Sequence, residues 1–281
     1  VKLVSYRVDG RSTYGAVLDT GVVEIPPLRG DLPATLKGAL ALGRGELETV
    51  LAAATSLRGP AVDELDLLPA VPDPGKVVCV GVNYADHRSE TGRTEAAYPT
   101  LFVRFADSQV GHGRAVRVPD VSTALDYEGE LAVVIGEPAY AVAPQDAMSH
   151  VAGYSCFDDL TVRDFQRHSS QFTPGKNFLG VGAFGPWLVT ADEVPDVAAL
   201  RLQTRVNGEV RQSARVSEMI FPIPELIAYI TSFTRLEPGD VVVTGTPGGV
   251  GFVRNPPLLL AAGDVVEVEI EGVGLLRTPI A

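Results

Sequence analysis

Leu125-Asp126-Tyr127-Glu128-Gly129-Glu130-Leu131-Ala132-Val133-Val134-Ile135 is the stretch on which the fold turns. It reads as a β-strand rich in apolar residues. Side chains alternate across a strand, so Glu128 and Glu130 point the same way, roughly 7 Å apart at the backbone. Ala132 and Val134 continue their face; Tyr127, Leu131, Val133 and Ile135 form the other. Both faces are apolar beyond the pair, as in a strand covered on both sides. Two like charges in such a place are costly unless something pairs with them, and a divalent cation removes that cost. A second alternating set, Glu267, Glu269 and Glu271, sits in Val266-Glu267-Val268-Glu269-Ile270-Glu271. There every second residue is charged, the pattern of a half-buried strand with a wet outer face. Spacing alone therefore does not mark a site; the apolar continuation of the face does.

The rest of the chain sets bounds. Its 281 residues allow one large domain, or one large and one small. With 46% hydrophobic and 21% charged residues it is an ordinary globular composition. A net charge of −12 argues against a general nucleic-acid surface, yet leaves room for a local cationic cluster facing a small anion. Cys79 and Cys156 each lie in an apolar run and read as buried free thiols in a reducing compartment. The first residues alternate like a strand without a signal-peptide core, and no apolar run approaches a membrane span. The expectation is a cytoplasmic protein that engages neither membrane nor nucleic acid.

Residues 1–70 read as a small N-terminal domain: strands at 2–8, 14–19 and 22–25, then a helical stretch around 33–55. Leu68-Pro69-Ala70-Val71-Pro72-Asp73-Pro74-Gly75 is a Pro-rich connector. Residues 71–281 form the larger domain, with strands expected at 76–82, 101–105, 125–135, 186–190, 200–206, 240–244 and 264–270. Helices are expected near Tyr84, over 143–150, over 159–167 and from Pro224 to Phe233, with proline at the first helical position. Many strands and few helices give a mainly β, mixed α+β architecture.

Four groups carry chemistry. No histidine has a second histidine or a cysteine at zinc-ligand spacing, so any metal here is bound by carboxylate oxygens. That favours Mg²⁺ or Mn²⁺, with Ca²⁺ as a further option. Glu128 and Glu130 supply two ligands; Asp158 or Asp159, at the end of an apolar strand, is the candidate third, with a helix N-cap as the alternative role. His87 and Glu90 are spaced i, i+3 and share a helix face. A carboxylate beside an imidazole orients the ring and raises its basicity, although such pairs are also common on solvated helices. Lys176, in Thr173-Pro174-Gly175-Lys176-Asn177-Phe178, could hold a carboxylate or an enolate oxygen, or be a solvated loop residue; Arg104 has the same two readings. Finally, Val243-Thr244-Gly245-Thr246-Pro247-Gly248-Gly249-Val250-Gly251 runs a strand into a glycine-rich loop that is neither a phosphate loop nor a dinucleotide fingerprint. No Gly-x-Ser-x-Gly elbow is present, so covalent serine catalysis is not indicated.

In this order the motifs resemble the fumarylacetoacetate hydrolase superfamily. The resemblance is carried by Gly81-Val82-Asn83-Tyr84-Ala85-Asp86-His87, Asp126-Tyr127-Glu128-Gly129-Glu130-Leu131, Gly153-Tyr154 through Asp159 to Arg163-Asp164, Gly175-Lys176-Asn177, Val206-Asn207-Gly208 and Thr244-Gly245-Thr246-Pro247 through Gly251. It covers about residues 70–281. It implies a mixed β-sandwich roll with a divalent-metal site, usually in a homodimer. The metal ligands it implies are Glu128, Glu130 and Asp159. His87 and Glu90 match the family's water-activating pair and Lys176 its substrate lysine. Gln166 and Thr246 match positions that often line the pocket, and Gly245 and Arg104 are expected with them as substrate-binding residues. Two departures bear on substrate identity: Leu179 stands where many relatives have an acid, and Arg104 where they often have lysine.

The activity this implies is metal-dependent hydrolysis of a carbon–carbon bond in a small anionic 2-oxo acid, of the 2,4-dioxo or acylpyruvate type. His87 and Glu90 would activate water, and the metal and Lys176 would stabilise the enolate. Decarboxylation of an oxaloacetate-type acid and isomerisation of an unsaturated oxo-diacid are alternatives at the same site. A non-catalytic metal- or ligand-binding protein is the alternative of another class, against which the His87–Glu90 pair argues.

Overall fold

The strand Gly129–Ile135 lies inside an eleven-stranded mixed sheet. This computed structural model describes residues 1–54 and 57–281. Across the sheet the order is Gly21–Glu24, Arg11–Leu18, Lys2–Val8, Gly182–Thr190, Val151–Asp158, Gly129–Ile135, Val241–Val243, Val77–Gly81 and Thr100–Arg104. Asp66–Leu67 adds to Lys2–Val8, and Gln109–Val110 adds to Gly182–Thr190. A four-stranded antiparallel sheet holds Glu209–Arg215, Arg201–Val206, Val265–Ile270 and Gly274–Pro279. The α+β, mainly β class expected from the strand count is the class observed. No helix among the described residues is long and apolar enough to cross a membrane.

The central strand is covered on both faces, as its composition requires. Leu131, Val133 and Ile135 pack with Leu202, Val268 and the helix Ile223–Thr231. Ala132 and Val134 pack on the other side with Phe157, Val241 and residues of the N-terminal segment, among them Leu3, Tyr14 and Leu36. That segment joins the main sheet through Lys2–Val8, which pairs with Gly182–Thr190. By contrast, Val265–Ile270 alternates buried with half-buried positions, and Glu269 pairs with Arg205 on the wetter face.

Some elements differ from the sequence expectation. The run 125–135 is split into Leu125–Asp126, which pairs with Thr161–Val162, and Gly129–Ile135. At the break the N–H groups of Glu128 and Gly129 donate to side chains, Asp158 Oδ1 at 3.2 Å and Gln212 Oε1 at 2.9 Å. The helix over 159–167 shrinks to Arg163–Gln166, because Thr161–Val162 is a strand. The stretch 33–55 becomes two helices, Leu36–Leu40 and Arg44–Ala54, with Gly43 between them at φ +86°; residue 55 lies outside the described residues. Pro144–His150 is a 3₁₀ helix.

Gly129 is the residue that lets the two sheets meet. A Cβ built there would lie 2.0 Å from Thr204 Oγ1 and 3.2 Å from Thr204 Cβ. Thr204 is fully buried, so it has little room to retreat. Gly129→Ala should therefore lower unfolding free energy by about 1–3 kcal/mol, the usual cost of overpacking. Adding Thr204→Ala should recover part of the loss, because the nearest atom is removed while Cβ stays. Denaturant unfolding of both single variants and the double variant measures this; full additivity would contradict the packing account.

Candidate metal and substrate site

The site forms where two neighbouring strands end. Antiparallel register sets Phe157 opposite Glu130 and Asp158 opposite Gly129, which carries Asp159 to the two glutamates. One carboxylate oxygen from each of Glu128, Glu130 and Asp159 lies within 4.8 Å of the others, and all three residues are buried. Asp158 stands apart from this cluster. Its Oδ1 accepts from the Glu128 N–H, its Oδ2 is buried without a partner, and burial pushes its pKa up to about 8.

Three buried cations answer the acids. Lys176 Nζ donates to Glu128 Oε2 at 2.6 Å and to Asp159 Oδ2 at 2.5 Å. Arg163 ion-pairs with Glu128 Oε1 at 2.7 Å and donates to Asp126 Oδ2 at 2.8 Å. Arg104 donates to Asp159 Oδ1 at 2.5 Å. Burial pushes Glu128 upward, but Arg163 and Lys176 outweigh it and hold the carboxyl well below its ordinary range. Glu130 goes the other way: burial, then Asp159 and Glu128, push it far up, although Gly245 N–H donates to it at 2.5 Å. Among the described residues no cation lies within ion-pair distance of Glu130, and Lys176 lowers it only from farther off. An all-oxygen donor set of three buried carboxylates fits a hard divalent cation such as Mg²⁺, Mn²⁺ or Ca²⁺ and offers no nitrogen or sulfur for zinc.

The base candidate is held with equal care. His87 lies in the short helix Ala85–Glu90, which follows the strand Val77–Gly81. Its Nδ1 is 2.7 Å from Glu90 Oε1, and Glu90 Oε2 accepts from Gly249 N–H at 2.8 Å. The glycine-rich loop thus fixes the carboxylate that fixes the imidazole, leaving Nε2 as the free ring nitrogen. Gly245 needs its φ of +100°, and a Cβ there would come within 2.6 Å of Asn83 Cβ. Val82, a β-branched residue at φ +57°, sits between the strand and Asn83 and lines the cavity, a costly conformation of the kind that gathers at functional sites.

These groups surround one cavity of about 490 Å³. The structure brings seven of the sequence candidates to its wall: Glu128, Glu130, Asp159, His87, Lys176, Gln166 and Thr246. Glu90 stands behind His87. Arg104 and Gly245, expected to touch substrate, are not on the wall. Arg104 is 2% exposed; its Nε donates to Ser108 and its Nη1 to Asp159 and the Leu160 carbonyl, while Nη2 is buried without a partner, so its place is behind a carboxylate. Gly245 meets Glu130 instead. Leu179 is 82% exposed and also off the wall. Sequence reasoning missed the role of Arg163, whose partner Asp126 is 37 positions away; Arg163-Asp164 was visible only as part of a motif.

The sequence pattern described as "Fumarylacetoacetate (FAA) hydrolase C-terminal" matches residues 76–281. The chain belongs to this family. It is 41% identical over 259 residues to bovine "Oxaloacetate tautomerase FAHD2A, mitochondrial", covering 91% of this chain and 82% of that protein. It is 41% identical over 225 residues to the Bacillus subtilis "Oxaloacetate tautomerase YisK", covering 78% and 74%. Among solved structures, the fumarylacetoacetate hydrolase of Exiguobacterium antarcticum superposes with a TM-score of 0.84 at 34% identity, over 99% of this chain and 98% of that one. The family resemblance drawn from the motifs is thereby established, and with it an enzyme family that holds both tautomerases and hydrolases.

Arg104→Met should destabilise the protein by about 3–5 kcal/mol, the cost of leaving a buried charge without its partner. Arg104→Lys should cost less, since the charge stays. Urea unfolding without added divalent cations measures both, and an unchanged midpoint for Arg104→Met would contradict the placement of Arg104 behind Asp159.

Proposed function

We propose that the protein moves a proton at the carbon next to the carbonyl of a small anionic 2-oxo acid, interconverting keto and enol forms of an oxaloacetate-class substrate. The observation that carries this is the His87–Glu90 pair: His87, its Nδ1 held by Glu90, lines the same cavity as the three carboxylates. The names of the relatives support it. Carbon–carbon bond hydrolysis, the leading expectation from the motifs, needs the same base and an attacking water as well. Tautomerisation needs only the base and stabilisation of the enolate.

In this reading Glu128, Glu130 and Asp159 hold Mg²⁺ or Mn²⁺. A divalent cation bound there supplies Lewis-acid polarisation of the 2-oxo carbonyl. Glu90 accepts from Nδ1–H of His87 and fixes the tautomer in which Nε2 is basic. Toward the enol, Nε2 takes the proton from carbon while the enolate oxygen gains one from solvent; toward the keto form the enol oxygen gives its proton to solvent and the protonated Nε2–H returns one to carbon. Lys176 acts as a charge rather than a base: burial works against its protonation, but Asp159 and Glu128 outweigh burial and raise its pKa. Its ammonium stabilises negative charge developing on the enolate oxygen. Gln166 accepts from Arg163 Nη1 at 3.0 Å through its carbonyl oxygen, which leaves its amide N–H groups to orient a substrate carboxylate.

The homodimer implied by the resemblance belongs to this proposal. Val103, Phe105 and Leu179 are 45%, 54% and 82% exposed and supply an apolar surface for it. Asn177 ties two of them together, accepting from Phe105 N–H and donating to the Val103 carbonyl.

His87→Asn should slow enol-to-keto conversion by about 10²–10⁴, the usual worth of a positioned base, while Mn²⁺ titration by calorimetry stays close to wild type. Glu128→Gln and Glu130→Gln should lose Mn²⁺ binding; Glu269→Ala, on the wet strand, should keep both properties. Full activity in His87→Asn would overturn the assignment of the base.

A further inference from the structure

We infer that Arg254 and Tyr127, neither of which reaches the cavity wall, are positioning residues for the base: they fix the Gly249 backbone that holds Glu90, and Glu90 holds the His87 imidazole. The inference rests on the proton-transfer reading above and assigns the part of the fold that aims its base. Glu90 alone is not enough for this. Its side chain is 22% exposed, and a long carboxylate with one end in water keeps rotamer freedom unless its second oxygen is also held. That second oxygen, Oε2, accepts from Gly249 N–H at 2.8 Å. The aim of the imidazole therefore depends on where the Gly249 backbone stands.

Gly249 is gripped from its other side. Its carbonyl accepts from the Tyr127 hydroxyl at 2.9 Å and from Arg254, Nη2 at 2.8 Å and Nε at 3.3 Å. Arg254 Nε also donates to the Tyr127 hydroxyl at 3.1 Å, and Nη2 to the Arg211 carbonyl at 2.9 Å. One guanidinium thus ties the glycine-rich loop to the strand Glu209–Arg215, and one phenol ties it to the residue beside Glu128. The planar fork of arginine suits this set of acceptors, which the single nitrogen of a lysine does not match. Gly249 stands at φ +106°, and a Cβ there would come within 2.1 Å of the Arg211 carbonyl oxygen, so the loop lies directly against that strand. Tyr127 is itself fully buried, in the apolar cluster of Leu125, Leu160 and Val206. Hydrogen bonds therefore run unbroken from the segment that carries the first carboxylate, through Tyr127, Arg254 and Gly249, to Glu90 and the imidazole.

The test follows enol-to-keto conversion of oxaloacetate by the Mn²⁺-loaded protein. Arg254→Met should lower kcat about ten- to hundred-fold, the scale on which a displaced catalytic group loses rate, with KM and calorimetric Mn²⁺ binding close to wild type. Tyr127→Phe keeps the ring and should act in the same direction by less; Arg254→Lys should fall between Arg254→Met and wild type. In a Glu90→Ala background no carboxylate is left to hold, so Arg254→Met should cost at most about a further two-fold. Nitrogen-15 NMR of the His87 ring in the Mg²⁺-loaded protein, assigned with His87→Asn, needs no turnover. It should show one tautomer, protonated at Nδ1, in the wild type and a mixture of both in Arg254→Met. An unchanged kcat in Arg254→Met, equal losses with and without Glu90, or an unchanged ring spectrum would overturn the positioning role. Loss of Mn²⁺ binding together with kcat would mark a general support of the fold and overturn it too. If the wild type converts no enol, the proton-transfer reading fails, and the ring spectra still decide the positioning. Thermal unfolding checks the variants; should Arg254→Met fail to fold, Tyr127→Phe and Arg254→Lys carry the same comparisons.

Discussion

Three buried carboxylates, with one oxygen of each within 4.8 Å of the others, are the constraint around which this protein is arranged. Each costs free energy to bury and each raises the cost of the next. Lys176, Arg163 and Arg104 answer Glu128 and Asp159 from behind and beside. Glu130 receives a backbone N–H from Gly245 but, among the described residues, no side-chain cation within ion-pair distance. The imbalance is local, and Glu130 stands on the cavity wall with the other two acids. Under the proposed function, a divalent cation and an anionic substrate would complete the balance together.

The fold makes this arrangement affordable by placing it at strand ends. Gly129–Ile135 and Val151–Asp158 are anchored along their length by apolar packing on both faces. Their ladder runs through Glu130 and Asp158, and at its end side chains of Asp158 and Gln212 take the backbone N–H groups of Glu128 and Gly129. The glycine-rich loop then serves two masters, Glu130 through Gly245 and Glu90 through Gly249. One loop thereby sets the position of the imidazole relative to the triad. That coupling is what a proton-transfer site needs, because a base that drifts by an ångström loses much of its effect.

Much of this was readable from the sequence where the signal is local. The double-sided burial of 131–135 followed from its unbroken apolar run, and the contrast with Glu267–Glu271 from strict alternation. Asp159 could be separated from Asp158 only by resemblance, since both sit at the same strand end; register is what brings one to the glutamates. Arg104 was misplaced because a strand-end arginine looks the same in sequence whether it faces a ligand or the back of a carboxylate. Arg163 and Asp126 found each other across 37 positions, which no spacing rule reports. Helices were overextended at 159–167 because Thr161–Val162 was claimed by a strand partner far along the chain. The choice between tautomerisation and hydrolysis was not legible, since the same imidazole–carboxylate pair serves both.

The central claim is that His87 Nε2 delivers a proton to one face of an enol held over the triad. The most direct measurement is an NMR analysis of the product formed when the enol form of oxaloacetate is mixed with the Mn²⁺- or Mg²⁺-loaded protein in deuterium oxide. To catch the newly formed stereocentre, the keto acid is trapped at once by stereochemically defined reduction. The account predicts accelerated conversion, one deuterium on carbon 3 in a single configuration, and neither carbon dioxide nor a second acid released by the protein. Equal deuterium in both configurations, or cleavage products formed in place of the keto acid, would contradict it.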